Sequence, residues 1–116
     1  MANTNRENLL LATAQFEHRS GDKEYNLEII AELSASAAKS GARAIAFHEC
    51  SVTGYTFARK LSRPEMLDLA ELIPGGKSIE RLTGIAREND ISVLAGLFEK
   101  DEAGNLYKAY VCVDKT

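Results

Sequence analysis

Residues 42–57 of the chain read ARAIAFHECSVTGYTF. Within this stretch a short apolar run, residues 44–47, is followed by the acid Glu49. Gly41 before the run and Gly54 after it bound the segment, which is typical of a buried strand. An acid at the carboxyl end of such a strand lies where open α/β sheets build their sites. Because burying a carboxylate without a partner costs free energy, Glu49 is a candidate functional residue.

The pattern upstream of this stretch predicts a βαβ unit. Residues 9–15 form a compact apolar run, which we interpret as the first strand. Residues 23–39 carry apolar side chains every three or four positions, as one face of an amphipathic helix does. With a second strand at residues 44–49, the right-handed crossover makes both strands parallel. We therefore expect Gln15 and Glu49 to share one edge of the sheet.

The pattern downstream predicts a loop, two helices and a hairpin. A glycine- and proline-rich break separates the two helices, and the first strand of the hairpin is apolar on both faces. In chain order these segments are the loop 51–63, the helices 65–72 and 78–89, and the strands 91–98 and 106–114.

Composition narrows the class of protein. The chain has 116 residues, 45% hydrophobic and 27% charged, which is enough for one domain with a core. The net charge is −3 and the basic residues are scattered, so we predict neither nucleic acid nor a membrane as a partner. Cys50 and Cys112 form no C-x-x-C pair, and both lie in strand-like segments. We interpret both as reduced thiols of a cytoplasmic protein.

Several of these segments resemble a known family. Residues 47–49 (FHE) followed by residues 53–55 (TGY) resemble the first catalytic motif of the nitrilase superfamily of carbon–nitrogen hydrolases. Residues 14–15, 96–99 and 106–107 also resemble positions of that family. The resemblance implies an α/β fold, one half of an α-β-β-α four-layer sandwich with the order β-α-β-α-α-β-β.

The resemblance also implies site residues. It makes Glu49 the general base of a Glu-Lys-Cys mechanism in which a thiol forms an acyl-enzyme on an amide or nitrile carbon. Tyr55 either lines the pocket or packs its loop onto the domain, and Glu99 has a structural role near the site, anchoring loop amides. The chain departs from the family at His48, where proline is usual, and at Lys108, where asparagine is favoured. No metal and no organic cofactor is implied.

The resemblance further implies that the domain is incomplete. Residues 1–8 are predicted to be a polar extension, and residues 9–116 the N-terminal part of a carbon–nitrogen hydrolase domain. The nucleophile and the lysine belong to motifs downstream of Asp114, so we expect the isolated chain to be inactive. A half-sandwich exposes apolar surface, which monomers avoid. We therefore expect it to form homo-oligomers or to associate with the missing C-terminal half, and to bind a small amide or nitrile substrate.

Other interpretations of the same residues stay open at this point. The chain could be a truncated, non-catalytic relative that acts as a binding or regulatory subunit, or a small flavodoxin-like binding module with helices on both faces of one sheet. Neighbours in an extended strand point to opposite faces, so Glu49 and Cys50 are not expected to meet, and Cys50 is better explained as a small buried hydrophobe. The segment GKS at residues 76–78 resembles the end of a phosphate-binding loop, but Glu71 stands where that motif needs glycine.

Overall fold

The computed structural model of the protein describes residues 8–116. Residues 1–7, most of the predicted polar extension, lie outside the described residues. The order of strands and helices is the predicted one, with an additional 3-10 helix in the loop after the second strand. The elements are β1 (Leu11–Ala14), α1 (Lys23–Lys39), β2 (Ala44–Phe47), the 3-10 helix (Thr56–Lys60), α2 (Arg63–Leu69), α3 (Lys77–Asn89), β3 (Ser92–Lys100) and β4 (Leu106–Val113).

The four strands form one mixed sheet in the order β1-β2-β3-β4. β1 pairs parallel with β2, and β2 pairs parallel with β3. β3 and β4 form the antiparallel hairpin that the turn at residues 101–105 predicts. The parallel pairs place the carboxyl ends of β1, β2 and β3 at the same edge of the sheet, as the βαβ interpretation requires.

Both long helices begin and end where local signals place them. The Asp22 side chain caps α1 by accepting a hydrogen bond of 3.0 Å from the Tyr25 amide. Beyond α1, Gly41 has a φ of +93°, which a glycine adopts without strain. At the end of α3, Asp90 takes the left-handed conformation, with a φ of 49°.

The hydrophobic core lies between one face of the sheet and the helices α1 and α3. Ile45, Val93 and Leu97 point from the sheet into it, and the two helices contribute Ile30 and Leu82. Because α1 and α3 contact each other, they cover the same face of the sheet. The flavodoxin-like alternative, which needs long helices on both faces, is therefore wrong.

The opposite face of the sheet, here called the open face, carries the alternate residues of each strand. On β1, β2 and β3 these are Leu11, Thr13, Ala44, Ala46 and Leu94, and on β4 they are Lys108, Tyr110 and Cys112. The half-sandwich that the family resemblance implies leaves apolar surface of this kind exposed. In the structure Leu11 is 59% exposed, because no element among residues 8–116 covers that end of the open face.

Several element ends differ from the predicted ones. β2 ends at Phe47 instead of residue 49, because the chain turns away from the sheet after that residue. α2 begins at Arg63, since Ser62 forms a capping box with Glu65. The capping box is a local signal, whereas the end of β2 depends on the segments that pack against it. No described helix is both long and apolar enough to cross a membrane.

Candidate active site

The acid Glu49 lies just beyond β2, at the carboxyl edge of the sheet. β1 and β2 are in register with Ala14 opposite Phe47, so Gln15 follows β1 beside the residues that follow β2. The expectation that Gln15 and Glu49 share an edge is thereby confirmed. Between the two strand ends lies a shallow cavity of about 360 Å³, lined by Thr13, Ala14, Gln15, Ala46, Phe47 and His48.

The carboxylate of Glu49 follows the last lining residue of this cavity and is open to solvent, so the expectation of a buried acid is wrong. Its side chain is 59% exposed, and Lys108 Nζ lies 3.2 Å from its Oε1 atom. The ion pair raises the pKa of Lys108, mainly through the hydrogen bond to Glu49. The cavity lining ends at His48, one residue before the acid. A reacting group could thus approach Glu49 from the open side of the sheet.

Backbone contacts with β3 hold the turn that carries Glu49. The Val52 amide donates to the Gly96 carbonyl at 2.9 Å, and the Gly96 amide donates to Ser51 Oγ at 3.3 Å. A Cβ atom on Gly96 would overlap the backbone nitrogen of Cys50. Only glycine therefore lets the turn pass this close over β3.

Cys50 is buried, as predicted, but for a different geometric reason. We expected an extended strand that points Glu49 and Cys50 to opposite faces. Instead Cys50 lies in the turn with a φ of 53°, and its side chain is 0% exposed. It packs with Ala70 and Phe98 in a small second cluster. Burial, and then the charge of Glu49, raise the pKa of the thiol, which therefore stays protonated.

Tyr55 and Glu49 both contact the side chain of Lys108. The Lys108 ammonium is 4.9 Å from the centre of the Tyr55 ring. The same ring stacks on Phe98, with 6.4 Å between ring centres. Packing of the loop onto the domain is therefore seen directly, and a role at the pocket mouth stays a prediction.

Glu99 lies in β3, opposite Tyr107 of β4. The neighbouring backbone anchors the segment after α2: the Glu71 amide donates to the Phe98 carbonyl at 3.0 Å, and the Lys100 amide donates to the Glu71 carbonyl at 2.9 Å. These bonds form an isolated bridge between Glu71 and Glu99. Anchoring by the Glu99 side chain stays a prediction.

A histidine pair at the same edge was not predicted. His18 Nδ1 and His48 Nε2 are 3.2 Å apart, and the edge of Phe16 packs against the His48 ring. Burial, with a contribution from His18, lowers the pKa of His48. His18 follows Gln15 by three residues, so its place after the first strand was a signal that could have been used. Within residues 8–116, no three His, Cys, Asp or Glu side chains are grouped as metal ligands would be.

A second polar cluster centres on Glu71. Its carboxylate accepts hydrogen bonds from Lys23 Nζ at 2.8 Å, from the Ser78 amide at 2.7 Å and from Ser78 Oγ. Burial raises the pKa of Glu71, but these bonds outweigh burial and hold it below its usual range. The carboxylate thus occupies the amino-terminal end of α3, where a phosphate would have to bind. Residues 76–78 are therefore not a phosphate-binding loop, because the Glu71 carboxylate occupies the position of the phosphate.

The fold and the edge site together define a class of protein. A four-stranded sheet with its long helices on one face is the architecture that the family resemblance implies for one half of a layered α/β sandwich. The sequence profile named carbon-nitrogen hydrolase matches residues 10–116. The chain belongs to the carbon–nitrogen hydrolase family, the nitrilase superfamily.

Individual relatives agree with this family. The chain is 34% identical over 92 residues to a protein named nitrilase from Pyrococcus abyssi, covering 79% of this chain and 33% of that protein. It is 34% identical over 87 residues to omega-amidase NIT2 from Mus musculus, covering 73% of this chain and 28% of that protein. The chain thus spans about a third of the length of these relatives.

Solved structures show the same fold. A crystal structure of an N-terminal amidase matches with a TM-score of 0.71 and 22% identity, covering 88% of this chain and 24% of that one. An amidase from Nesterenkonia sp. matches with a TM-score of 0.60 and 23% identity, covering 88% of this chain and 41% of that one. The predicted nitrilase-type half-sandwich is confirmed.

Proposed function

We propose that this chain carries the general base of a hydrolase that cleaves amides or nitriles of small molecules, and that the base is Glu49. The observation that carries the proposal is the position of Glu49 one residue beyond a cavity at the carboxyl edge of the sheet. Family membership supports hydrolysis of a C–N bond. The thiol and the lysine of the Glu-Lys-Cys set are proposed to come from outside residues 1–116.

The proposed reaction begins with a proton transfer. Glu49 takes the proton of the incoming thiol, and the resulting thiolate attacks the amide carbon. The C–S bond forms as the C=O π electrons move to oxygen, and collapse of this tetrahedral intermediate breaks the C–N bond, so that the amine or ammonia leaves with the proton that Glu49 accepted. Glu49 then takes a proton from water, which attacks the thioester and releases the carboxylic acid and the thiol. This sequence of steps requires neither a metal nor an organic cofactor.

Neither cysteine of this chain is proposed as the nucleophile. Cys50 is buried with a raised pKa, whereas a nucleophilic cysteine needs thiolate character. Cys112 lies on the open face, two positions beyond Tyr110 along β4. Neither residue stands in a motif that resembles the cysteine motif of the family. The isolated chain is therefore expected to release no ammonia from primary amides or nitriles.

The test compares two lengths of the polypeptide. The 116-residue chain and the complete product of its source gene are assayed for ammonia release from a panel of small primary amides and nitriles. In an active form, Glu49→Gln should lower kcat by about 100-fold or more, because general-base catalysis contributes that much. Glu28→Gln, on the outer side of α1 and paired with Arg81, is the matched control and should leave kcat unchanged.

Two outcomes would contradict the proposal. Turnover by the isolated chain that is lost in Glu49→Gln would show that the thiol lies within residues 1–116. Turnover by the longer form that survives Glu49→Gln would remove Glu49 from the mechanism. A non-catalytic relative that binds a partner chain is the second proposal, favoured by the 59% exposure of the Glu49 side chain. An open reading frame that continues into a lysine and a cysteine motif would exclude it.

A further inference from the structure

β4 places two polar side chains over the turn that carries Glu49. Lys108 and Tyr110 point to the open face, while Ala109 and Val111 between and after them point toward the core. In the hairpin register Lys108 lies opposite Phe98 and Tyr110 lies opposite Gly96. Gly96 is the residue over which the Glu49 turn passes. Both side chains are therefore directed at the segment between the end of β2 and Glu49.

Tyr110 bonds the last residue of β2. Its hydroxyl donates to the Phe47 carbonyl at 2.7 Å and also lies 3.4 Å from the Leu94 carbonyl. The pairing of β2 with β3 ends one residue earlier, at Ala46 opposite Leu94. Phe47 itself still pairs with Ala14 of β1. The phenol adds a contact from β4 at the residue where β2 leaves the sheet, two residues before Glu49.

Lys108 bonds the carboxylate itself. Its ammonium lies 3.2 Å from Glu49 Oε1 and faces the ring of Tyr55 at 4.9 Å. An ammonium held between a carboxylate and an aromatic face has fewer orientations than a free surface lysine. Because Lys108 contacts one carboxylate oxygen, the other oxygen remains available to accept a proton.

We propose that Lys108 and Tyr110 are positioning residues for Glu49, with Tyr110 fixing the backbone before it and Lys108 fixing its carboxylate. The catalytic relevance of these contacts rests on the proposed function of Glu49 as a base, whereas the contacts themselves are independent of that proposal. The resemblance to the family does not predict it, because asparagine is favoured at the position of Lys108. The alternative is a solvent-exposed ion pair that forms independently of Tyr110.

The test uses the isotope-labelled 116-residue chain and no substrate. The pKa of the Lys108 ammonium, followed by NMR at Cε and Nζ, reports whether Glu49 is in contact with it. Glu49→Gln should shift that pKa downward, because the variant removes the charge that favours the ammonium. Tyr110→Phe should also shift it downward, because the carboxylate is then no longer held in reach.

Tyr107→Phe is the matched control. Tyr107 lies on the same strand, is 49% exposed against 50% for Tyr110, and donates its hydroxyl to Asp101, away from Glu49. This variant should leave the Lys108 pKa unchanged. Equal effects of Tyr110→Phe and Tyr107→Phe would overturn the role of Tyr110. An unchanged Lys108 pKa in Glu49→Gln would overturn the role of Lys108.

A second measurement does not depend on any variant folding. In the wild-type chain with labelled tyrosine, the Tyr110 hydroxyl proton should exchange with water more slowly than that of a free phenol. Exchange at the free rate would contradict the bond to Phe47. Because neither measurement needs turnover, the positioning role and the catalytic role of Glu49 can fail separately. A Lys108 shift combined with activity that survives Glu49→Gln would keep the former and reject the latter.

Discussion

At the scale of the residue, the carboxyl edge of the sheet joins groups from distant parts of the chain. His18 meets His48, and Lys108 meets Glu49. Each pair joins residues far apart in the chain, so spacing along the sequence alone does not reveal it, although the place of His18 after the first strand was a usable signal. The position of Glu49 itself was predictable, because it depends only on a short apolar run that ends in an acid. What the sequence could not supply was the partner of each charged group.

The histidine pair predicts a pH dependence of stability. Because burial lowers the pKa of His48 from its ordinary 6.5, the unfolded chain binds more protons than the folded one below that pH. The free energy of unfolding should therefore decrease as the pH falls below about 6.5, before the carboxylates begin to titrate. Urea unfolding at pH 7.5, 6.5 and 5.5 measures this slope.

The variant His48→Gln isolates the contribution of the histidine. The glutamine side chain can still form a hydrogen bond with His18, but its amide does not titrate. The slope between pH 6.5 and 5.5 should be smaller in this variant than in the wild type. Equal slopes in the two proteins would show that other groups cause the pH dependence.

At the scale of the element, the two long helices were predicted closely, whereas the bounds of α2 and the end of β2 were not. The bounds of α1 matched the prediction because its apolar period, the Asp22 cap and Gly41 are local signals. The end of β2 was placed two residues too late. Its last paired residue, Phe47, depends on Ala14 of β1 and on the crossing over Gly96, neither of which residues 44–49 encode.

The crossing over Gly96 predicts a large effect of one methyl group. Gly96→Ala should lower the free energy of unfolding by about 2 kcal/mol or more, because the added Cβ meets the backbone of Cys50 and not a flexible side chain. Urea unfolding monitored by circular dichroism measures the change.

Gly84→Ala is the control for this substitution. Nothing lies within 4 Å of a Cβ at Gly84, which is inside α3. Alanine there should raise the free energy of unfolding by about 0.5–1 kcal/mol, because it favours the helix over the unfolded chain. If both variants changed stability in the same direction and by the same amount, the close crossing would not be what requires Gly96.

At the scale of the whole molecule, one face of the sheet is covered and the other is not. The fold class and the order of elements were predictable, since the βαβ pattern and the family motifs extend over most of the chain. The exposure of Leu9, Leu10 and Leu11, at 52–61%, agrees with the apolar surface expected of a half-sandwich, although an apolar run alone looks the same whether it is covered or bare. The cytoplasmic location stays a prediction.

The open face predicts binding of an apolar dye. Contiguous apolar surface of this kind marks an interaction site, so the 116-residue chain should enhance the fluorescence of anilinonaphthalene sulfonate or associate with itself in sedimentation. Leu11→Lys should reduce both signals. Leu72→Lys, at an exposed leucine between α2 and α3, is the control. A monodisperse monomer that binds no dye would contradict the prediction that this face is docked in the active protein.

The two thiols differ in access by virtue of where the chain turns. The left-handed bend at Cys50 tucks that sulfur inside, while Cys112 stands bare on the uncovered side of the sheet. A maleimide probe added to the native protein should therefore label Cys112 and not Cys50. The rate of labelling at Cys112 then reports how far the open face is covered, and no cysteine has to be introduced.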